Sequence, residues 1–257
     1  MDGRKQPPSE EELDEFVDEF VQAVQEVFPG CCIHFEDWKG TDAIRLLAKY
    51  KDKVLCYNDD IQGTASVTLA GLITALQILD TKLTDQRIVF LGAGSAGIGI
   101  ANLLASAMQQ QGLTKEEAAA RISLFDINGL IEPSRKDLSA SQQVYAHPRA
   151  PSKDLVATIE SLKPTILIGV STTGGAFNQR VVEAMSQLNR RPIIFALSNP
   201  TDKAECTAQQ AYTWSNGKAL YAAGVQFPDV KINGLATVQR PANIRQWIEE
   251  QLYNPQY

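Results

Sequence analysis

The chain has 257 residues, 44% of them hydrophobic, with 24 basic and 30 acidic side chains and a formal net charge of −6. That length can bury an ordinary core and sits near the upper end for one domain. No apolar run approaches the ~20 residues of a membrane span, the charged opening MDGRKQPPSEEELDEF is unlike a secretion signal, and scattered Lys and Arg offer no basic stripe to nucleic acid. The expected setting is the cytoplasm. Cys31, Cys32, Cys56 and Cys206 lack the spacing of a structural zinc site and read as buried free thiols.

In chain order, Ser9 with Glu12 forms a capping box, and Leu13, Phe16, Val17, Phe20, Val21, Val24 and Phe28 recur at helical spacing until Pro29-Gly30. The strand CCIHF then runs into Glu36-Asp37 and, after the helix DAIRLLAKY, the strand VLCYN runs into Asp59-Asp60. Next come a mostly apolar helix GTASVTLAGLITALQIL, the buried strand RIVFL and the helix SAGIGIANLLASAMQQQ, followed by RISLF. The alternation continues through a helix at 154–162, TILIGV, a helix at 178–188, PIIFAL, a helix at 207–215 and ALYAAG. Short apolar strands separated by amphipathic helices predict an α/β fold with an open, doubly wound parallel sheet. The expected organisation is an N-terminal helix over 1–30, a nucleotide-binding domain over 31–228, and a linker with the closing helix ANIRQWIEEQLY over 229–257. Residues 132–153, with three prolines, and 225–241 are the expected soft spots.

Gly92, Gly94 and Gly97 make Gly-x-Gly-x-x-Gly at a strand-to-helix junction, which suits a tight turn, backbone approach to a pyrophosphate and close helix packing. The flanking strand and helix turn a weak motif into a Rossmann-type dinucleotide site. Asp126 ends the next strand, where it can accept from ribose hydroxyls, although it lies further along than the usual ~20 residues; its alternative is a cap before Asn128-Gly129. Glu36, Asp37, Asp59 and Asp60 all fall at carboxyl ends of strands. If those ends are neighbours, the acids need a cation, and hard oxygen donors favour Mg²⁺ or Mn²⁺; the alternative is a solvated turn or a helix cap. His34 is expected to pack within its strand, and with His147 the only other histidine neither a histidine-rich metal site nor a Ser-His-Asp triad is expected.

FED at 35–37, NDDIQGTA at 58–65, FLGAGSAGIGIA at 90–101, FDINGLI at 125–131, GGAF at 174–177 and RPIIFALSNPTDKAECTAQQAY at 191–212 together resemble the nucleotide-binding part of a malic enzyme, over roughly residues 9–228. The resemblance implies an oxidoreductase that converts L-malate to pyruvate with NAD⁺ or NADP⁺ and Mn²⁺ or Mg²⁺. It implies metal ligands at Glu36, Asp37 and Asp60, catalytic roles for Asp59 and Asp60, and a cofactor seat of Gly92, Gly94, Ser95, Ala96, Gly97 and Asp126, with Asn199 serving cofactor and malate alike. Family members that prefer NADP⁺ tend to carry Lys where Gln142 precedes Tyr145-Ala146-His147, so NAD⁺ is expected, with Arg135 or Lys136 the remaining cations for a 2′-phosphate. Members also carry an upstream domain with the Tyr and Lys of acid–base catalysis and an Arg for malate, and a Gln-Gly-Asn-Asn stretch beyond the equivalent of Pro228. The expectation is therefore a malic-enzyme module, inactive alone or completed by a homo-oligomer or an N-terminal domain. The alternatives are a non-catalytic NAD-binding module and a malolactic-type enzyme.

Overall fold

The computed structural model describes residues 8–232 and 235–236; the closing helix expected after residue 241 lies outside the described residues. Helix α1, Glu10–Val27, begins at the expected capping box, in which the Glu12 N–H donates to Ser9 Oγ and the Ser9 N–H to Glu12 Oε2. Only part of its apolar set is covered. Val17 and Val21 are buried, whereas Phe16 and Phe20 are 65% and 50% exposed.

Strands β1, Ile33–Phe35, and β2, Cys56–Asn58, flank helix α2, Gly40–Tyr50, and pair in parallel as a sheet of their own. Their core is small: Val17, Val21, Ile33, Phe35, Leu46 and Tyr50. Charge supplies much of the docking of α1 on α2. Arg45 reaches Asp14, Asp42 and Glu10, and Lys49 donates to Asp18 at 2.8 Å, with the Tyr50 hydroxyl on the same carboxylate. Arg45 holds the Asp14 carboxyl below its ordinary range, and Lys49 with Tyr50 does the same for Asp18. Burial, aided by Asp18, pushes the Tyr50 hydroxyl up to about 12.

A π-helical turn, Asp59–Gly63, leads into α3, Thr64–Leu79. Against the reading of the sequence, the 21 residues Asp59–Leu79 are long and apolar enough to cross a membrane by length and composition. Here Ala65, Thr68, Leu72, Ala75 and Leu76 are buried against α4 and the main sheet.

That sheet holds β3 (Ile88–Leu91), β4 (Ile122–Asp126), β5 (Gly129–Leu130), β6 (Ile166–Gly169), β7 (Ile193–Ala196) and β8 (Leu220–Ala223) in the order β5-β4-β3-β6-β7-β8. All neighbours are parallel except β5, which returns antiparallel to β4. The helices are α4 (Ser95–Gln110), α5 (Lys115–Ala120), α6 (Ala140–Gln143), α7 (Leu155–Leu162), α8 (Gln179–Leu188) and α9 (Ala208–Trp214). Continuous apolar strands are explained by two buried faces. Ile88 and Phe90 join the core beneath α3 and α4, while Val89 joins that of α7 and α8; Ile166 and Ile168 against Leu167, and Ile193 and Phe195 against Ile194, divide the same way. The doubly wound Rossmann-type sheet is thus present.

Three sequence expectations are corrected. Of the four free thiols, Cys31 and Cys32 are exposed, Cys56 is half-buried and Cys206 alone is buried, because the first three sit on or beside a two-stranded sheet with an open face. His34 faces solvent, since strand alternation turns its neighbours Ile33 and Phe35 inward. Segment 132–153 is no soft spot: Tyr145 is 1% exposed and its hydroxyl donates to Asn102 Oδ1 at 2.8 Å. The sequence reading also missed α5, β5 and α6, which are too short for a clear periodicity.

Candidate functional site

The winding of the sheet reverses between β3 and β6, and a crevice opens at their carboxyl ends, the place where such sheets bind ligands. Gly92 follows β3 at φ +117°, and a Cβ there would meet Val170 O at 2.4 Å. At Gly97 a Cβ would meet Gly92 O at 2.4 Å, so α4 can close on the turn only without a side chain. Around Gly94 nothing lies within 4 Å of the added Cβ, so this glycine borders open space. Gly94 caps α4 with no side-chain bond to the first amides of the helix. That leaves backbone donors and the positive end of the helix dipole for an anion.

Two cavities meet at this crevice. The first, about 490 Å³, is lined by Leu91, Gly92–Gly94, Phe125–Ile127, Val170–Thr173 and Ala176. The second, about 360 Å³, is lined by Asp37, Trp38, Asp60, Thr64, Ser95, Ala96, Val170, Thr172, Leu197, Ser198 and Asn199. Val170 and Thr172 form their common wall. Among the predicted residues, Gly92, Gly94 and Asp126 therefore belong to the first cavity, and Ser95, Ala96, Asp37, Asp60 and Asn199 to the second. Trp38, Thr64, Thr172 and Ser198 are additions. Thr64 and Ser198 lie inside quoted motifs, whereas Thr172 follows β6 with no local signal.

The two acidic strand ends are neighbours, because Phe35 pairs with Asn58. Asp37 takes a left-handed conformation, φ +60°, which Asp tolerates better than most residues. Its N–H donates to Asp60 Oδ2 at 2.9 Å. Glu36 and Asp59 turn to a different neighbour. His34 Nε2 lies 3.2 Å from Glu36 Oε2, and one ligand atom from each of His34, Glu36 and Asp59 falls within 4.8 Å of the others. The His34 ring is stacked on Tyr57 at 4.5 Å. Thus Asp37 and Asp60 face the second cavity together, while Glu36 and Asp59 group with His34 beside it. Among the described residues, no Lys or Arg pairs with any of these four carboxylates.

Glycine also sets this acidic turn in place. A Cβ at Gly63 would lie 1.9 Å from Asp59 Oδ1, so only glycine lets that carboxylate fold over its own turn. At Gly99 a Cβ would lie 2.7 Å from Ile61 O, so α4 touches the π-helical turn through a bare backbone.

At the far end of the first cavity, Asp126 is already engaged. Arg135 donates to both its oxygens at 2.8 Å and also to Asp137, and the Asn128 N–H caps Asp126 Oδ1 at 2.8 Å. These carboxylates raise the Arg135 pKa, and Arg135 pulls that of Asp137 down. Gln142 Nε2 donates to Ala93 O at 3.1 Å, which sets a neutral side chain directly on the glycine turn.

Fold and crevice together define a Rossmann-type protein whose crevice at the glycine turn adjoins an acidic pocket. A family model described as "Malic enzyme, NAD binding domain" matches residues 61–245, and one described as "Malic enzyme, N-terminal domain" matches residues 2–51. The chain belongs to the malic enzyme family. It is 48% identical over 222 residues to the NADP-dependent malic enzyme of Mus musculus, covering 86% of this chain and 39% of that one. It is 45% identical over 224 residues to the NAD-dependent mitochondrial malic enzyme of Ascaris suum, covering 87% and 35%. The crystal structure of Entamoeba histolytica malic enzyme superposes with a TM-score of 0.68 at 27% identity, covering 82% of this chain and 42% of that chain. The chain thus spans about two fifths of the length of these relatives. Asp59 and Asp60 lie between the two matched stretches, and Glu36 and Asp37 lie within the first.

Proposed function

We propose that this chain carries the cofactor and metal half of an enzyme that oxidises L-malate with NAD⁺ and decarboxylates it to pyruvate. The observation behind this reading is the shared wall of the two cavities, which sets a glycine turn and an acidic pocket side by side. Asp37 and Asp60, which face the second cavity together, would hold Mn²⁺ or Mg²⁺, and Glu36, paired here with His34, would complete the set on turning from that partner; an all-oxygen set with no cation paired to Asp37 or Asp60 among the described residues suits such an ion. The ion supplies Lewis-acid stabilisation of negative charge on the oxygens of malate.

Each side chain then has a limited task. The Gly92–Ser95 backbone binds the pyrophosphate, and Asp126, with Arg135 behind it, orients a ribose. Asn199, in the lining of the second cavity, offers an amide to malate. Asp59 adds negative charge beside the acidic pair and helps recruit the cation. The choice of NAD⁺ over NADP⁺ is supported by Gln142, which brings no charge to the glycine turn, and by Arg135, whose guanidinium is shared between Asp126 and Asp137.

The test is malate-dependent NADH production with Mn²⁺, with pyruvate and lactate both measured, and with Mn²⁺ binding followed by electron paramagnetic resonance. Asp60→Ala should abolish Mn²⁺ binding and turnover while leaving NAD⁺ affinity intact. Lactate as the product would replace this reading with the malolactic one, and NAD⁺ binding with no Mn²⁺ binding and no malate-dependent NADH would reduce it to nucleotide binding alone.

A further inference from the structure

Behind the common wall of the two cavities lies a carboxylate that pairs with no Lys or Arg among the described residues. Glu205 is fully buried, and its Oε1 accepts from the Ser171 N–H at 2.9 Å, the Ser171 hydroxyl at 3.0 Å and the Ser198 hydroxyl at 2.6 Å. Its Oε2 faces the Ser198 N–H at 3.4 Å. A Cβ at Gly169 would lie 2.4 Å from Glu205 Cδ, so the end of β6 is bare where this side chain passes.

Both hydroxyls are relays. Ser198 Oγ accepts from the Thr172 N–H at 2.9 Å, and Ser171 Oγ from the Thr173 N–H at 3.2 Å. A serine hydroxyl has one hydrogen, and each is committed to Glu205. The loop after β6 and the loop after β7 are therefore tied through one acceptor. Those loops carry Thr172, held at φ +54°, and Asn199, which both line the second cavity. A left-handed threonine is costly and persists only where its surroundings over-determine it. Removing a buried acceptor that serves several donors leaves each of them unsatisfied.

We propose that Glu205 is a positioning residue that sets the wall between the cofactor groove and the acidic pocket, acting through Ser171 and Ser198 without touching a ligand. This rests on the cofactor reading above. It follows that Glu205 governs the nicotinamide half of a dinucleotide and leaves the adenosine half, seated on Gly92–Gly94 and Asp126, unaffected.

The experiment is calorimetric titration of the full chain and its variants with NAD⁺ and with ADP, which lacks the nicotinamide half, alongside thermal melting. Glu205→Ala should weaken NAD⁺ about tenfold with ADP affinity unchanged, and Glu205→Gln, which keeps an acceptor oxygen, should restore most of the loss. Should Glu205→Ala fail to fold, Ser198→Ala, which removes the Ser198 relay between Glu205 and Thr172 and keeps the Ser171 relay, should still weaken NAD⁺ severalfold and spare ADP. Equal losses for NAD⁺ and ADP would mean a merely structural role, and unchanged NAD⁺ affinity in folded variants would mean none; either overturns the proposal. Wild-type protein that binds neither nucleotide would overturn the cofactor reading itself and this inference with it.

Discussion

The layer made by α1, α2, β1 and β2 and the six-stranded sheet beside it are held together by different physics. The sheet buries Phe90, Leu104, Leu124, Ile168 and Met185 to 3% exposure or less on two faces, so its strands need no charge to stay in place. The smaller layer covers only one side of α1 and relies on Arg45, Lys49 and Tyr50 meeting Asp14 and Asp18. Yet each contributes one side of the crevice: the sheet brings the glycine turn, and the smaller layer brings Asp37 and Trp38. Scaffold rigidity and site chemistry are thus divided between an apolar body and a polar, partly uncovered attachment.

Four experiments can break or sharpen that contrast. Phe90→Ala should cost about 3–5 kcal/mol and lower the melting temperature of the whole molecule, because a large side chain is lost from a closed core. A small shift would mean that the sheet is less tightly packed than its burial indicates. Gly94→Val should keep the fold and weaken NAD⁺ at least tenfold in calorimetry, since its new atoms meet only the space of the proposed pyrophosphate. Unchanged affinity in a folded variant would remove the glycine turn from the cofactor site.

Acid should loosen the smaller layer first. Asp14 and Asp18 have lowered folded-state pKa values, so their stabilisation is complete above the ordinary value of 3.8 and is lost as pH falls from there through the folded values. Hydrogen-exchange protection of α1 and α2 amides should therefore drop as pH falls below about 4 while β3 and β6 amides stay protected, and added salt should enhance the difference. Protection lost equally in both regions would contradict it. The smallest effect is expected at Phe16, 65% exposed: Phe16→Ala should change stability by no more than about 0.5 kcal/mol. Light scattering on that variant should show less self-association if the uncovered face of α1 is adhesive.

Much of this was legible in the chain itself. The glycine turn, the parallel alternation and the two acidic strand ends follow from local periodicity and from residue types that are costly elsewhere. The misjudged residues, His34, Cys31, Cys32 and the segment around Tyr145, depended on which faces other elements cover. Hydropathy alone could not show that β1 and β2 form their own sheet with one side open, nor that Tyr145 finds Asn102, 43 residues away.

Amino-acid order alone determined that a strand would end in glycines where a helix begins, and that acids would follow two other strands, because turn geometry and side-chain alternation act over a few residues. Only the tertiary structure decided that Asp37 and Asp60 share a cavity while Glu36 and Asp59 gather with His34, that Arg135 stands behind Asp126, and that a buried Glu205 joins two loops. The Asp37–Asp60 contact and the Glu205 links bridge distant segments, and bare glycine backbone at Gly63, Gly99 and Gly169 makes room for Asp59, the π-helical turn and Glu205.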